Sequence, residues 1–434
     1  MFDRTPLYAL FLKRFTSREQ LARSVLLCML LMPGCRPTSD SHERNEVRPA
    51  RSPASVHKTT SARSLVGAED WPLFRGDPAG RGIASGLLPR RPRLLWTFSV
   101  EQGTFESTAA IVEGTVYAGC TDGNLYALAL SDGRERWRYY SEMEFSSPVA
   151  VRDRRVYVGD ADGRFHCVDA ADGRQLWYYD TEGEINGGAN FHGSHVLFGS
   201  QDGSLYCLEA KTGKMVWRYQ SGNQIRCFPT IIENRVLVAG CDGKLHVVDL
   251  AEGHQVMAVP LGAPTGCTPA VHGDLVFLGT EGTLLMGVDW RAGRVEWKYP
   301  TSESNVSTRS SAAVLPSTIF VGSSEKRLLA VDAQTGRLSW HFMTGGQINS
   351  SPVLVGPWVV FGSDDGRLYA VDRMWGKMAW RYDTGGGITA SPAVADGRLV
   401  IGTNEGDLFC FGASKGKPIS RRQPKRSGSG RPSK

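Results

Sequence analysis

Side chains able to do chemistry recur along this chain at fixed intervals. Asp169, Asp249, Asp289, Asp332 and Asp372 each stand four residues before a glycine, at 173, 253, 293, 336 and 376. A single acid so placed could serve as a general base. The same acid repeated in register serves a repeated local need, and ahead of a glycine that need is to bond the amides of a turn. Nine histidines, His166 and His246 among them, are scattered without ligand spacing. There is no His-Glu metal motif, no phosphate-binding glycine loop and no nucleophile elbow. We therefore assign no catalytic residue and no metal site.

Nine cysteines invite a disulfide reading. Cys28 lies in an apolar leader and Cys35 just after it, which leaves seven, an odd number. Cys167, Cys207 and Cys410 fill one recurring position, while Cys120 and Cys241 follow Gly119 and Gly240 in like places. Cys227 and Cys267 precede Pro229 and Pro269 by two residues, as Ser146 and Ser350 precede Pro148 and Pro352. Interchange with serine marks them as small buried residues, so free thiols are expected. If one bridge forms, Cys227 to Cys267 is the candidate.

These groups sit on a repeat whose pattern is a small residue, usually an acid third, glycine seventh and an aromatic eleventh. It runs Ala127-Leu-Ala-Leu-Ser-Asp-Gly133-Arg-Glu-Arg-Trp137 and returns from Cys167, Cys207, Val247, Gly287, Ala330, Ala370 and Cys410. Tryptophan closes six copies, and Met257 and Ser420 close the other two. One tryptophan, Trp96, has no motif before it. Counting it, the steps run 96, 137, 177, 217, 257, 297, 340, 380 and 420, the period of a propeller blade.

Each period holds four apolar β-rich runs, for example Ser147 to Val151, Val156 to Gly159, Phe165 to Val168 and Leu176 to Tyr179. Four such runs make one antiparallel blade. Asp122-Gly123 and its copies at 162, 202, 242 and 365 separate runs two and three, as Glu405-Gly406 does, and tolerate the positive φ of a tight hairpin. The eighth repeat lacks its fourth run, and the run around Trp96 is a fourth run without a blade. Pairing Trp96's strand with Leu408 to Phe411 closes the ring and hides two open edges. The fold class is all-β: an eight-bladed propeller of four-stranded antiparallel blades, with Trp96 in the seat that Ser420 vacates.

The registered motif resembles the tryptophan-docking repeat of PQQ-type (quinoprotein-like) propellers over residues 71 to 416. The resemblance implies a tryptophan packed between adjacent blades against the small first residue of the motif. It also implies first runs nearest the axis, which points Arg226 and Arg309 into the channel; each alternatively pairs with a blade carboxylate. Compact blades without insertions look most like outer-membrane assembly lipoproteins of the BamB type. The catalytic members of the family stack a quinone over calcium beneath a disulfide of adjacent cysteines, carried largely on long insertions. Here the spacing stays at 40 to 43 and no two cysteines adjoin. No enzyme activity and no cofactor are therefore expected, with PQQ and calcium the alternative.

Four domains follow. Residues 1–34 have a basic start and the apolar run Ser24 to Met32, a secretion signal too short to span a bilayer. Gly34-Cys35 resembles a lipobox, which makes Cys35 the lipid-attachment residue, although Met32 and Pro33 depart from the usual pattern. Residues 35–68 read as a disordered tether, 69–420 as the propeller and 421–434 as a basic tail. The segments 1–66 and 421–434 each carry +6 against a total of +6, so the residues between them carry −6. The basic balance therefore gives no sign of nucleic-acid binding, and the tail reads as solvated rather than as a contact for anionic lipid or polysaccharide. The expected protein is an exported monomer on the periplasmic face of the envelope, lipid-anchored to the outer membrane. Its expected partners are envelope proteins, with the barrel-assembly machinery as the leading possibility; recognition of polysaccharide or of a secreted enzyme is the alternative. The leader Trp71 to Gly76 resembles the start of many secreted proteins of this repeat class.

Overall fold

Runs two and three of each repeat are apolar at nearly every position, so they must be covered on both faces, whereas run four alternates and can stand at an edge. The computed structural model, which describes residues 70–300 and 307–413, meets both demands. All described residues belong to one compact unit, Arg63–Lys434. In blade 2 the strands Arg155–Gly159 and Arg164–Asp169 are buried almost throughout, while Gln175–Asp180 alternates between exposed and half-buried. Eight four-stranded antiparallel sheets repeat this scheme. Their inner strands stand side by side around an axis, and that of blade 8, Ala393–Ala395, packs beside that of blade 1, Ala110–Val112.

Ring closure follows the expectation. Arg93–Ser99 is the outer strand of blade 8, antiparallel to Asp407–Gly412. Trp96 pairs with Cys410, as Trp137, Trp177 and Trp217 pair with Ala127, Cys167 and Cys207. A register slip follows the small residue in those three copies, and another falls between Leu94 and Trp96. The small residue is thus the cross-strand partner of the indole within one blade. The indole's contact with the next blade is that blade's motif glycine. A Cβ on Gly133, Gly173 or Gly213 would lie 2.5–2.7 Å from Trp96, Trp137 or Trp177. These glycines also take φ of 74–75°, so both turn and dock require them. The indole N–H donates to the carbonyl three residues past the small position: Trp96 to Leu130 at 2.9 Å, Trp137 to Ala170 at 3.0 Å and Trp217 to Leu250 at 3.1 Å. The acids behave as turn acceptors, Asp169 taking the Ala171 N–H and Asp249 the Ala251 N–H.

One expectation needs correction, one holds and one feature is new. The first run of blade 2 begins as strand only at Ala150, because Pro148 has no N–H to donate and Ser146 and Pro148 line the axis. Cys227 and Cys267 are free buried thiols one blade apart, in line with the expectation of free thiols. Cys227 Sγ accepts the Ala239 N–H, and Cys267 Sγ lies 3.2 Å from the Thr308 carbonyl. Burial pushes the two thiols up to about 12 and about 11. Finally, the leader is part of the core. Residues 71–84 thread the axis, where Trp71 exchanges both hydrogen bonds with Ile111, and the carbonyls of Pro72, Pro78, Ala79, Arg81 and Gly82 accept the N–H groups of Val151, Ile231, Val271, Val314 and Leu354. This plug satisfies inner-strand edges that the ring leaves unpaired. The signal, the tether, Cys35, Ser420 and the basic tail lie outside the described residues.

Candidate functional site

The plug closes the axis at the level of the inner strands and leaves beside it a cavity of about 180 Å³, with Phe74 as its floor. Because every blade turns inward at the same repeat position, the lining comes in tiers of one residue per blade. The rim tier is Glu106, Ser146, Asn186, Arg226, Gly266, Arg309, Asn349 and Thr389. The tier two residues further on lies below it. Its far arc is Thr268, Ser311, Ser351 and Ser391, its near arc is Pro148, Gly188 and Phe228, and Thr108 completes the ring between Ser391 and Pro148. Phe74 meets Phe228 edge to face at 6.0 Å. A second hollow of about 680 Å³ adjoins the rim, shares Arg226 and Arg309, and reaches Glu184 and Glu281.

Arg226 and Arg309 therefore stand at the rim two blades apart, on either side of Gly266, both exposed. Neither belongs to an ion pair among the described residues. Arg226 donates instead to Gln224 Oε1 at 2.6 Å. Near Arg309 the Asp364 carboxyl is raised by burial and by Asp365, against the pull of Asn349 and Arg309. Beneath the floor lies Arg75, which is 1 % exposed. Its Nη2 donates to the carbonyls of Ala312 at 2.9 Å and Pro352 at 2.7 Å, while Nε and Nη1 have no partner among the described residues. Burial lowers its guanidinium to about 9, with Asp77 opposing. Sequence reasoning missed Arg75 because its burial depends on the path of the plug. The tiers were legible as residues recurring every 40 to 43 positions beside Arg226 and Arg309.

The buried histidines are struts between blades. His166 Nε2 meets Asp160 at 2.9 Å and its Nδ1 meets Tyr139 at 3.0 Å; His246 repeats this with Asp242 and Tyr219 at 3.0 and 2.8 Å. Neither lines the axial cavity. Among the described residues no three of His, Cys, Asp and Glu gather as a metal site. The axial lining offers one carboxylate, Glu106, against two guanidiniums. That donor set does not match the six to eight oxygen ligands a calcium ion beside a quinone calls for.

The tryptophan docks, the eight closed blades and the axial tiers define a PQQ-type β-propeller. Comparison with known families narrows this: the model of the outer membrane protein assembly factor BamB matches residues 81–190 and 167–382, and the chain belongs to that family. Among solved structures, BamB from Moraxella catarrhalis is 20 % identical with a TM-score of 0.64, covering 75 % of this chain and 99 % of its own. A europium-containing methanol dehydrogenase is 13 % identical at 0.68, covering 80 % and 98 %. The quinohemoprotein alcohol dehydrogenase from Comamonas testosteroni is 16 % identical at 0.67, covering 80 % and 81 %. At these identities the likeness shows the fold alone. No curated protein matches the sequence.

Proposed function

We propose that this propeller is a non-catalytic interaction scaffold of the cell envelope that serves the assembly of outer-membrane proteins, exported and held at the periplasmic face of the outer membrane by a lipid on Cys35. The observation that carries this reading is the family match across 81–382. It is supported by an axial cavity whose single carboxylate faces two guanidiniums, a poor setting for a calcium–quinone pair. A scaffold needs rigid, chemically quiet surfaces, and eight blades locked by docks and a plug supply them.

Pull-down of the full chain from detergent-solubilised envelope tests the proposal, and barrel-assembly proteins should be enriched. Recovery of polysaccharide-degrading enzymes alone sinks the assembly role. Cys35→Ala should abolish lipid labelling and release the propeller to the soluble fraction, and unchanged membrane fractionation removes the anchor. Micromolar binding of PQQ with calcium, together with dye reduction on alcohols or sugars, overturns the non-catalytic reading.

A further inference from the structure

The far arc of the axial cavity is built from hydroxyls whose oxygens are already occupied. The backbone N–H of Phe228 donates to Thr268 Oγ1 at 3.2 Å, that of Thr268 to Ser311 Oγ at 3.0 Å, that of Ser311 to Ser351 Oγ at 2.9 Å and that of Ser351 to Ser391 Oγ at 2.9 Å. A hydroxyl that accepts in this way still has its own proton to give. None of the four gives it to a group among the described residues. Four O–H donors thus line the arc of one cavity, at most 7 % exposed.

Charge reinforces the donors. Arg226 and Arg309 hold the rim above them. Arg75 lies one layer below, bonded to the carbonyls of Ala312 and Pro352, the residues that follow Ser311 and Ser351. Two of its nitrogens have no partner among the described residues, and none of these brings a carboxylate into contact with the buried guanidinium. Against three cations the lining offers Glu106. The opposite wall differs: Pro148, Gly188 and Phe228 stand over Phe74 and bring no side-chain donor.

A cavity with donors and cations on one side and an apolar, partly aromatic surface on the other fits a ligand of the same two-sided character. Its volume of about 180 Å³ is below the ~300–1,000 Å³ of pockets for drug-sized molecules, which suits one ring at the level of the hydroxyl arc. We propose that the axial cavity binds a monocyclic organic carboxylate, with its carboxylate toward Thr268, Ser311, Ser351 and Ser391 and its ring against Phe74 and Phe228. A sugar acid and an aromatic acid share that chemistry. Inorganic phosphate would use the donors and leave the apolar wall empty.

Titration calorimetry of the full chain with galacturonate, benzoate, galactose and inorganic phosphate tests the site. One of the two carboxylates should bind saturably, and whichever binds more tightly identifies the source. Neutral galactose and phosphate should each bind at least about tenfold more weakly, a difference of about 1.4 kcal/mol. Arg226→Gln with Arg309→Gln changes only exposed side chains and should keep the parent melting temperature while weakening the carboxylate about tenfold or more. Ser311→Ala tests the arc directly, and its melting curve separates lost binding from lost folding. The proposal falls if neither carboxylate saturates by about 10 mM, if galactose or phosphate binds as tightly, or if the arginine variant binds like the parent.

Discussion

The seam between blades 8 and 1 and the seam between blades 4 and 5 occupy equivalent places in the ring but are built differently. At the first, Trp96 stands opposite Cys410, lies on Gly133 and donates to the Leu130 carbonyl. At the second, Met257 stands opposite Val247 and lies on Gly293, its sulfur 2.5 Å from where a Cβ would be. Val247 is the only β-branched residue at the small position, and it faces the only methionine in the tryptophan seat. The two changes compensate, since a bulkier floor needs a narrower lid. The indole hydrogen bond is lost there, and other groups close the seam. Trp290 is buried and donates to the Gly273 carbonyl, while Arg291 stacks on it and bridges Glu233 of blade 4 and Asp274 of blade 5. The dock is therefore a volume rule obeyed by three residues together, and its hydrogen bond is dispensable.

The widest gap between the seams should appear when the lid is removed. Trp96→Ala should cost about 3–5 kcal/mol, the range for truncating a buried aromatic, read from denaturant midpoints under reducing conditions. Deleting residues 94–98 should cost more, because it also exposes the Asp407–Gly412 edge. A Trp96→Ala protein that unfolds with the parent would show that the ring is not held at this seam. Adding a methyl beneath each lid comes next. Gly133→Ala and Gly293→Ala both pay about 1–2 kcal/mol for positive φ, but Gly133→Ala also drives a Cβ into a rigid indole. It should cost a further ~1–3 kcal/mol, whereas a thioether can turn aside; equal costs would erase the distinction.

Exchanging the lid is subtler. Met257→Trp alone should destabilise by about 1–3 kcal/mol from overpacking on Val247. Adding Val247→Ala should recover most of that loss, and strict additivity in the double-mutant cycle would mean the two positions are not matched. The smallest effect is Arg291→Ala at the 4–5 seam. Its ion pairs are exposed, so the shift in denaturant midpoint should be the smallest of the set and should shrink further with added salt.

Sequence made the seams legible because each dock residue is set by type: glycine for φ and clearance, a small partner, a large lid. Trp96 could be assigned to the last blade from the absence at Ser420 alone. The axial site was half legible. Arg226 and Arg309 are pointed into the channel by the resemblance, which implies first runs nearest the axis. The donor arc was overlooked because serine and threonine look interchangeable with Pro148 and Gly188 until their backbone partners are known. The plug had no copy elsewhere to reveal it, and it works through backbone carbonyls, which carry no signature of residue type. Arg75 followed the plug out of view.

The plug and the closing strand also fix a timetable. Both lie ahead of blade 1, yet some of their partners come late: Arg75 bonds residues 237 and 277 positions later, and Ser99 bonds Asp407 across 308. Contacts this distant in sequence make folding slow. At about 5–20 residues per second of synthesis, the first strand waits roughly 15–60 s for its mate to exist. During that interval seven blades can form along the plug while the flank that the closing strand will cover stays open, and an open strand edge promotes aggregation. The chain's most vulnerable moment is therefore an almost complete one, and a chaperone that holds it must let go only after Gly412 has arrived.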